Sequence, residues 1–148
     1  MLPLIAIDYD GTLVESTWPR HGPWLPGAIE SLRELQKFAR VTIFTMRASP
    51  YEIDGFTERP LHVVRQEVMV IEERLSDAGL RGVTVWQRMG KPPAIAFIDD
   101  RGIRFNGRNG AWPAIVTRCK IMCNQVLDIY PEYEGVYEPV GVSSEVVQ

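Results

Sequence analysis

The chain has 148 residues, a length typical of one globular domain. Its composition, 45% hydrophobic and 24% charged, excludes wholesale disorder. No apolar run approaches the roughly 20 residues of a membrane-spanning helix, and the first residues lack a basic leader, so we expect a cytoplasmic protein. All 16 basic residues precede Asp128, whereas five of the 19 acidic residues lie at or after it. We therefore predict a core domain over residues 1–130 and an acidic tail over residues 131–148.

Hydrophobic periodicity predicts strands that alternate with helices. Short apolar runs predict five strands, at residues 3–7, 41–45, 83–86, 94–98 and 114–117. Apolar residues at helical spacing predict helices from Pro26 to Phe38, from His62 to Ala78 and from Arg118 to Ile129. This alternation is typical of an α/β fold, in which a doubly wound parallel sheet of about five strands carries helices on both faces.

Polar residues cluster where the predicted strands end. They are Asp8 and Asp10 after the first strand, Thr45 and Arg47 after the second, and Asp99 and Asp100 after the fourth, with Lys91 shortly before it. In a doubly wound sheet, ligands bind beyond the carboxyl ends of the strands. Several carboxylates at one edge repel one another unless a cation binds between them. The pattern predicts a site for a hard divalent cation, most simply Mg²⁺.

Four motifs resemble those of the haloacid dehalogenase-like phosphatases. The first, D-x-D-G-T after an apolar strand, matches residues 8–12 and is the most specific of the four. The second, a Ser or Thr after the next strand, matches Thr45. The third, a lysine ahead of the fourth strand, matches Lys91, and the fourth, a carboxylate pair ending that strand, matches Asp99 and Asp100. The resemblance covers roughly residues 4–117.

The resemblance implies an aspartyl-phosphate mechanism. Asp8 is then the nucleophile, and Asp10 protonates the leaving group and later deprotonates the attacking water. Thr45 and Lys91 hold the phosphoryl oxygens. Mg²⁺ binds to the carboxylates of Asp8 and Asp99 and to the carbonyl oxygen of Asp10, while Asp100 orients a metal-bound water or Lys91.

Four further residues are expected to contribute to substrate binding. Gly11 permits a tight turn beside the phosphate, and Thr12 caps that turn. Arg20 and Arg47, if they face the cleft, clamp a neighbouring phosphate through their guanidinium groups. The phosphatase domain of phage polynucleotide kinase resembles this chain in having an arginine two residues after the hydroxyl and a D-D-R ending, here at residues 99–101.

The substrate class stays open between nucleic acids and small molecules. The gaps between the motifs cannot hold a cap domain, so we expect an open site of the capless type, which often serves large substrates. A nucleic acid 3′-phosphate end or a nucleotide is one class of substrate, although a net charge of only +2 over the residues before Asp128 gives it weak support. A sugar or metabolite phosphate is the alternative, as is a phosphate-binding module without turnover. A receiver-type signalling domain is disfavoured, because no acid follows the third strand.

Overall fold

The computed structural model describes residues 2–52, 54–102 and 121. The chain divides into two compact units, Met1–Gly102 and Ile103–Gln148. The strands and helices named below belong to the first unit. The predicted fifth strand, the predicted domain boundary at residue 130 and the predicted tail lie outside the described residues. So does the predicted last helix apart from Ile121, which is helical and exposed.

Within the described residues, four parallel strands form a sheet. They are β1 (Leu4–Ile7), β2 (Arg40–Ile43), β3 (Thr84–Val85) and β4 (Ala96–Ile98), in the spatial order β3-β2-β1-β4. Ile7 lies beside Ile43 on one side and beside Ile98 on the other. The α/β class is therefore confirmed. The register also brings the residues that follow β1, β2 and β4 to one edge of the sheet.

Two helices connect the first three strands. Helix α1 (Ala28–Gln36) begins after Gly27, whose φ of 81° is readily adopted by glycine. Helix α2 (Leu61–Asp77) buries Val64, Val68, Ile71 and Leu75 along one face, as the periodicity predicted. Side chains of both helices join one core with residues that alternate along β1 and β2, among them Leu32, Ile71, Ile5, Ile7, Val41 and Ile43.

The carboxyl end of β2 differs from the prediction. β2 ends at Ile43 rather than Thr45, because Thr45 is the N-cap of a short 3₁₀ helix (Met46–Ala48) and its hydroxyl accepts a hydrogen bond from the Arg47 amide. β4 lies at an edge of the sheet in the part of the chain that the structure describes, and its residues are exposed. None of the described helices combines the length and apolar character that crossing a bilayer requires.

Candidate active site

Three carboxylates meet at the carboxyl ends of β1 and β4. Asp8 follows β1, and its amide donates a hydrogen bond of 2.9 Å to the carbonyl of Ile98, the last residue of β4. Asp8, Asp99 and Asp100 each offer one carboxylate oxygen, and these oxygens lie within 4.8 Å of one another. Carboxylate oxygens are hard donors of the kind that Mg²⁺ prefers, and the ion expected from the strand-end pattern stays a prediction.

The electrostatics of this cluster favour the binding of a positive charge. The pKa of Asp8 is raised from its usual 3.8 to about 7. Burial is the largest cause and the charges of Asp99, Asp100 and Asp10 add to it, whereas a hydrogen bond from the Tyr9 amide opposes it. Burial also raises the pKa of Asp100, where Arg101 opposes the shift and Asp99 adds to it. A divalent cation would relieve the repulsion that these two groups experience, so the donor set fits the ion electrostatically as well.

This shift predicts a pH dependence of stability in the metal-free protein. The folded state keeps the Asp8 proton up to about pH 7, whereas the unfolded state loses it near 3.8. The folded state binds more protons in this window, so the contribution of Asp8 to stability falls as the pH rises from about 4 to about 7. Urea unfolding in EDTA should show this decline in the wild type and a smaller one in Asp8→Asn. Identical pH profiles for the two proteins would contradict the shift.

The turn after β1 contacts the residues that follow β4. Gly11 has a φ of 80°, and a Cβ there would lie 2.5 Å from Oδ2 of Asp100. The hydroxyl of Thr12 accepts a hydrogen bond of 3.1 Å from the Asp100 amide. Both residues thus support the carboxylate cluster in this structure, and their predicted role in binding substrate stays a prediction.

Asp10 lies apart from the cluster because Arg47 binds its carboxylate. Arg47 Nε donates to Oδ2 at 2.8 Å, and Nη2 donates to Oδ1 at 2.7 Å. The carboxylate therefore does not join the three that meet at the strand ends. The resemblance implies a metal contact through the carbonyl oxygen of Asp10, and that contact stays a prediction.

Arg47 is buried rather than facing the cleft. Its side chain has 0% exposure, and besides Asp10 it donates to Glu67 Oε2 at 2.8 Å and to the carbonyl oxygens of Pro19 and Arg20. A guanidinium has five N–H groups, and these five hydrogen bonds use all of them. In this arrangement Arg47 cannot clamp a substrate phosphate, and the role predicted for it from the sequence is wrong. The side chain of Arg20 is exposed, and its substrate role stays a prediction.

The two predicted phosphate ligands differ in how firmly they are held. Thr45 is buried, and its position beside the end of β1 is fixed by the Phe44 amide, which donates to the Ile7 carbonyl at 2.8 Å. Lys91 is exposed, and its Nζ lies 4.0 Å from the centroid of the Phe97 ring. No carboxylate of the described residues lies within ion-pair distance of Lys91. The structure thus places Thr45 at the edge of the sheet that holds Asp8, and Lys91 against β4.

Glu67, the second carboxylate bound to Arg47, was not among the predicted site residues. Glu67 lies on α2, three residues after Val64 and four before Ile71, both of which are buried. This spacing places an acid on the border of an apolar helix face, where it needs a partner. The periodicity therefore held a signal for Glu67, although it did not identify the partner.

Comparisons with known proteins do not identify a family. No family model matches the chain, and no curated protein matches it. A solved structure described as a conserved protein from Bacteroides thetaiotaomicron is 26% identical in sequence and aligns with a TM-score of 0.46. The alignment covers 82% of this chain and 93% of that protein. That protein is described only as conserved, with no activity.

Proposed function

We propose that this chain is a Mg²⁺-dependent phosphomonoester hydrolase of the capless haloacid dehalogenase-like type, built on a doubly wound sheet. One observation carries the proposal: Asp8, Asp99 and Asp100 meet at adjacent strand ends, directly beside the D-x-D-G-T turn. An aspartate with a raised pKa among like charges is suited to a site that is completed by a cation and a phosphate.

The reaction proceeds in two displacements at phosphorus. In the first, a carboxylate oxygen of Asp8 bonds to phosphorus and the bond to the ester oxygen breaks. Asp10 gives a proton to the leaving oxygen, and that proton has to lie on a carboxyl lone pair that Arg47 does not use. In the second, water attacks the phosphorus of the aspartyl-phosphate and passes a proton to Asp10. Phosphate leaves, and the Asp8 carboxylate is restored.

Other residues bind the phosphoryl group. Asp8 and Asp99 would hold Mg²⁺, which would supply positive charge where the negative charge of the transferring group is concentrated. Thr45 offers a hydroxyl from a buried position, and Lys91 offers an ammonium on a flexible, exposed side chain. For Lys91 this role requires the side chain to turn from Phe97 to the phosphate.

A nucleotide or a nucleic acid 3′-phosphate end remains our preferred substrate class. Arg47 does not support this substrate class, because its N–H groups bind acceptors within the protein and are not free to bind a phosphate. Trp18 gives different support: its ring lies 4.7 Å from the Arg47 guanidinium carbon, and 54% of the residue is exposed. An exposed aromatic ring beside the arginine that binds Asp10 suits stacking by a base. A sugar phosphate offers no such ring and is the alternative.

The proposal is tested with purified protein, 4-nitrophenyl phosphate, a nucleoside 3′-monophosphate and a sugar phosphate. We expect hydrolysis that needs Mg²⁺, that stops in EDTA and that returns when Mg²⁺ is restored. We also expect a higher kcat/KM for the nucleotide than for the sugar phosphate. Phosphate binding without any release of product would instead identify a phosphate-binding module, and a preference for the sugar phosphate would favour the small-molecule alternative.

A further inference from the structure

A second group of ionisable side chains lies behind Asp10 and has no role in the reaction described above. It comprises Arg47 and Glu67, together with Tyr9, His21 and Arg74. The residues come from the turn after β1, the loop before α1, the 3₁₀ helix and α2. In the described part of the chain, this group connects α2 to the carboxylate that the proposed reaction uses as its acid and base.

The hydrogen bonds of this group have one consistent direction. Arg74 donates to the Tyr9 hydroxyl, so that hydroxyl donates to Nδ1 of His21 at 3.2 Å. Nε2 of His21 then carries the ring proton and donates to Glu67 Oε2 at 3.0 Å. Arg47 Nη1 also lies 3.4 Å from Nε2, but both N–H groups of Nη1 are bound to Glu67 and Pro19. Burial and the charge of Arg47 lower the pKa of His21, which agrees with a neutral ring. Glu67 therefore receives one hydrogen bond from His21 and one from Arg47.

Glu67 binds the guanidinium nitrogen of Arg47 that Asp10 does not contact. Nε and Nη2 of the guanidinium bind Asp10, whereas Nη1 binds Glu67 and the Pro19 carbonyl. Because the guanidinium is planar, fixing Nη1 also fixes the plane in which Asp10 is bound. We propose that Glu67 is a positioning residue for the Asp10 carboxyl and acts on it through Arg47. This inference rests on the proposed function, since it assumes that Asp10 transfers protons.

Orientation matters here because proton transfer needs the acid within hydrogen-bond distance of the leaving oxygen. Loss of Glu67 would leave Nη1 without a carboxylate, and the guanidinium could then tilt together with Asp10. A misplaced acid slows reactions with poor leaving groups most, since good leaving groups need little protonation. Glu67 is 21% exposed and makes no contact with the three-carboxylate cluster among the contacts of the described residues, so Mg²⁺ binding should not change.

The test compares Glu67→Gln with Glu73→Gln, which makes the same charge change at an exposed position of the same helix. For each protein, kcat/KM is measured with 4-nitrophenyl phosphate and with a simple alkyl phosphate at saturating Mg²⁺. We expect Glu67→Gln to lower the alkyl-to-aryl ratio about tenfold or more, within the range that acid–base catalysis supplies. Glu73→Gln should leave the ratio unchanged, and the Mg²⁺ concentration for half-maximal activity should be the same in all three proteins.

The outcomes separate this inference from the function on which it rests. An active wild type whose Glu67→Gln variant loses both activities equally, or loses neither, would overturn the positioning role alone. A wild type without Mg²⁺-dependent hydrolysis would overturn the proposed function and the inference with it. If Glu67→Gln does not fold, Glu67→Asp takes its place, because it keeps the charge that balances Arg47 but shortens its reach. A selective loss of alkyl phosphate turnover in that variant would also support the role.

Discussion

Replacing Asp8 with Asn should abolish Mg²⁺-dependent hydrolysis. An amide is a poor nucleophile toward phosphorus and a weaker ligand for a hard cation, so one substitution removes both functions proposed for this residue. We expect kcat/KM for 4-nitrophenyl phosphate to fall by about a thousandfold or more, as is usual when a nucleophile is removed. Steady-state assays with Mg²⁺ varied over a wide range measure the loss.

Loss of folding would not account for this result. Asp8→Asn removes a carboxylate whose pKa is raised to about 7 by burial and by neighbouring charges, so the metal-free variant should be at least as stable as the wild type near neutral pH. Asp77→Asn, at an exposed position of α2, makes the same chemical change outside the site and should retain full activity. Substantial turnover by Asp8→Asn would exclude Asp8 as the nucleophile.

Replacing Arg47 with Ala should mainly destabilise the fold. Arg47 is fully buried, and its removal leaves the carboxylates of Asp10 and Glu67 without the cation that both bind. Removing one partner of a buried ion pair costs about 3–5 kcal/mol, and since both carboxylates are about one-fifth exposed we expect the lower end, about 3 kcal/mol. Urea unfolding at neutral pH measures the change.

The matched control for Arg47 is Arg65→Ala. Arg65 lies on an exposed position of α2, so its replacement should change the free energy of unfolding by about 0.5 kcal/mol or less. If Arg47→Ala proved as stable as Arg65→Ala and affected only the binding of oligonucleotides, the result would support the hypothesis that Arg47 binds a substrate phosphate. The structure favours the opposite result, because protein acceptors bind each N–H of the guanidinium.

The positions of the strands could be read from the sequence because apolar runs are interrupted by charges. Leu4 to Ile7 ends at Asp8, and the run ending at Ile98 stops at Asp99, so the sequence predicted which carboxylates lie at strand ends. Parallel pairing then brings these ends together, and Asp8, Asp99 and Asp100 meet there. The carboxylate of Asp10, which the pattern placed with them, binds Arg47 instead. Local patterns sufficed here because a single sheet edge collects residues that are distant in the chain.

The role of Arg47 could not be read in the same way. The direction of its side chain depends on Asp10, 37 residues earlier, and on Glu67, 20 residues later. Neither separation produces a periodic pattern in the sequence. An arginine after a strand is more often exposed, so the sequence favoured a ligand-binding or surface role. Burial of the guanidinium follows from the combined packing of α2 and the loop before α1, and this packing is visible only in three dimensions.

The aspartyl-phosphate on Asp8 is the central claim, and it can be measured directly. Asp10→Asn should still form the intermediate from 4-nitrophenyl phosphate, whose leaving group needs no acid, but should hydrolyse it slowly because the attacking water lacks its base. The reaction is stopped with acid, and peptides are examined by mass spectrometry with and without hydroxylamine, which cleaves acyl phosphates. We predict one phosphoryl group on the peptide containing Asp8, lost in hydroxylamine and absent from the Asp8→Asn, Asp10→Asn double variant. Turnover by the wild type with no phosphoryl group on Asp8 in any variant, or with the group on another residue, would contradict the account.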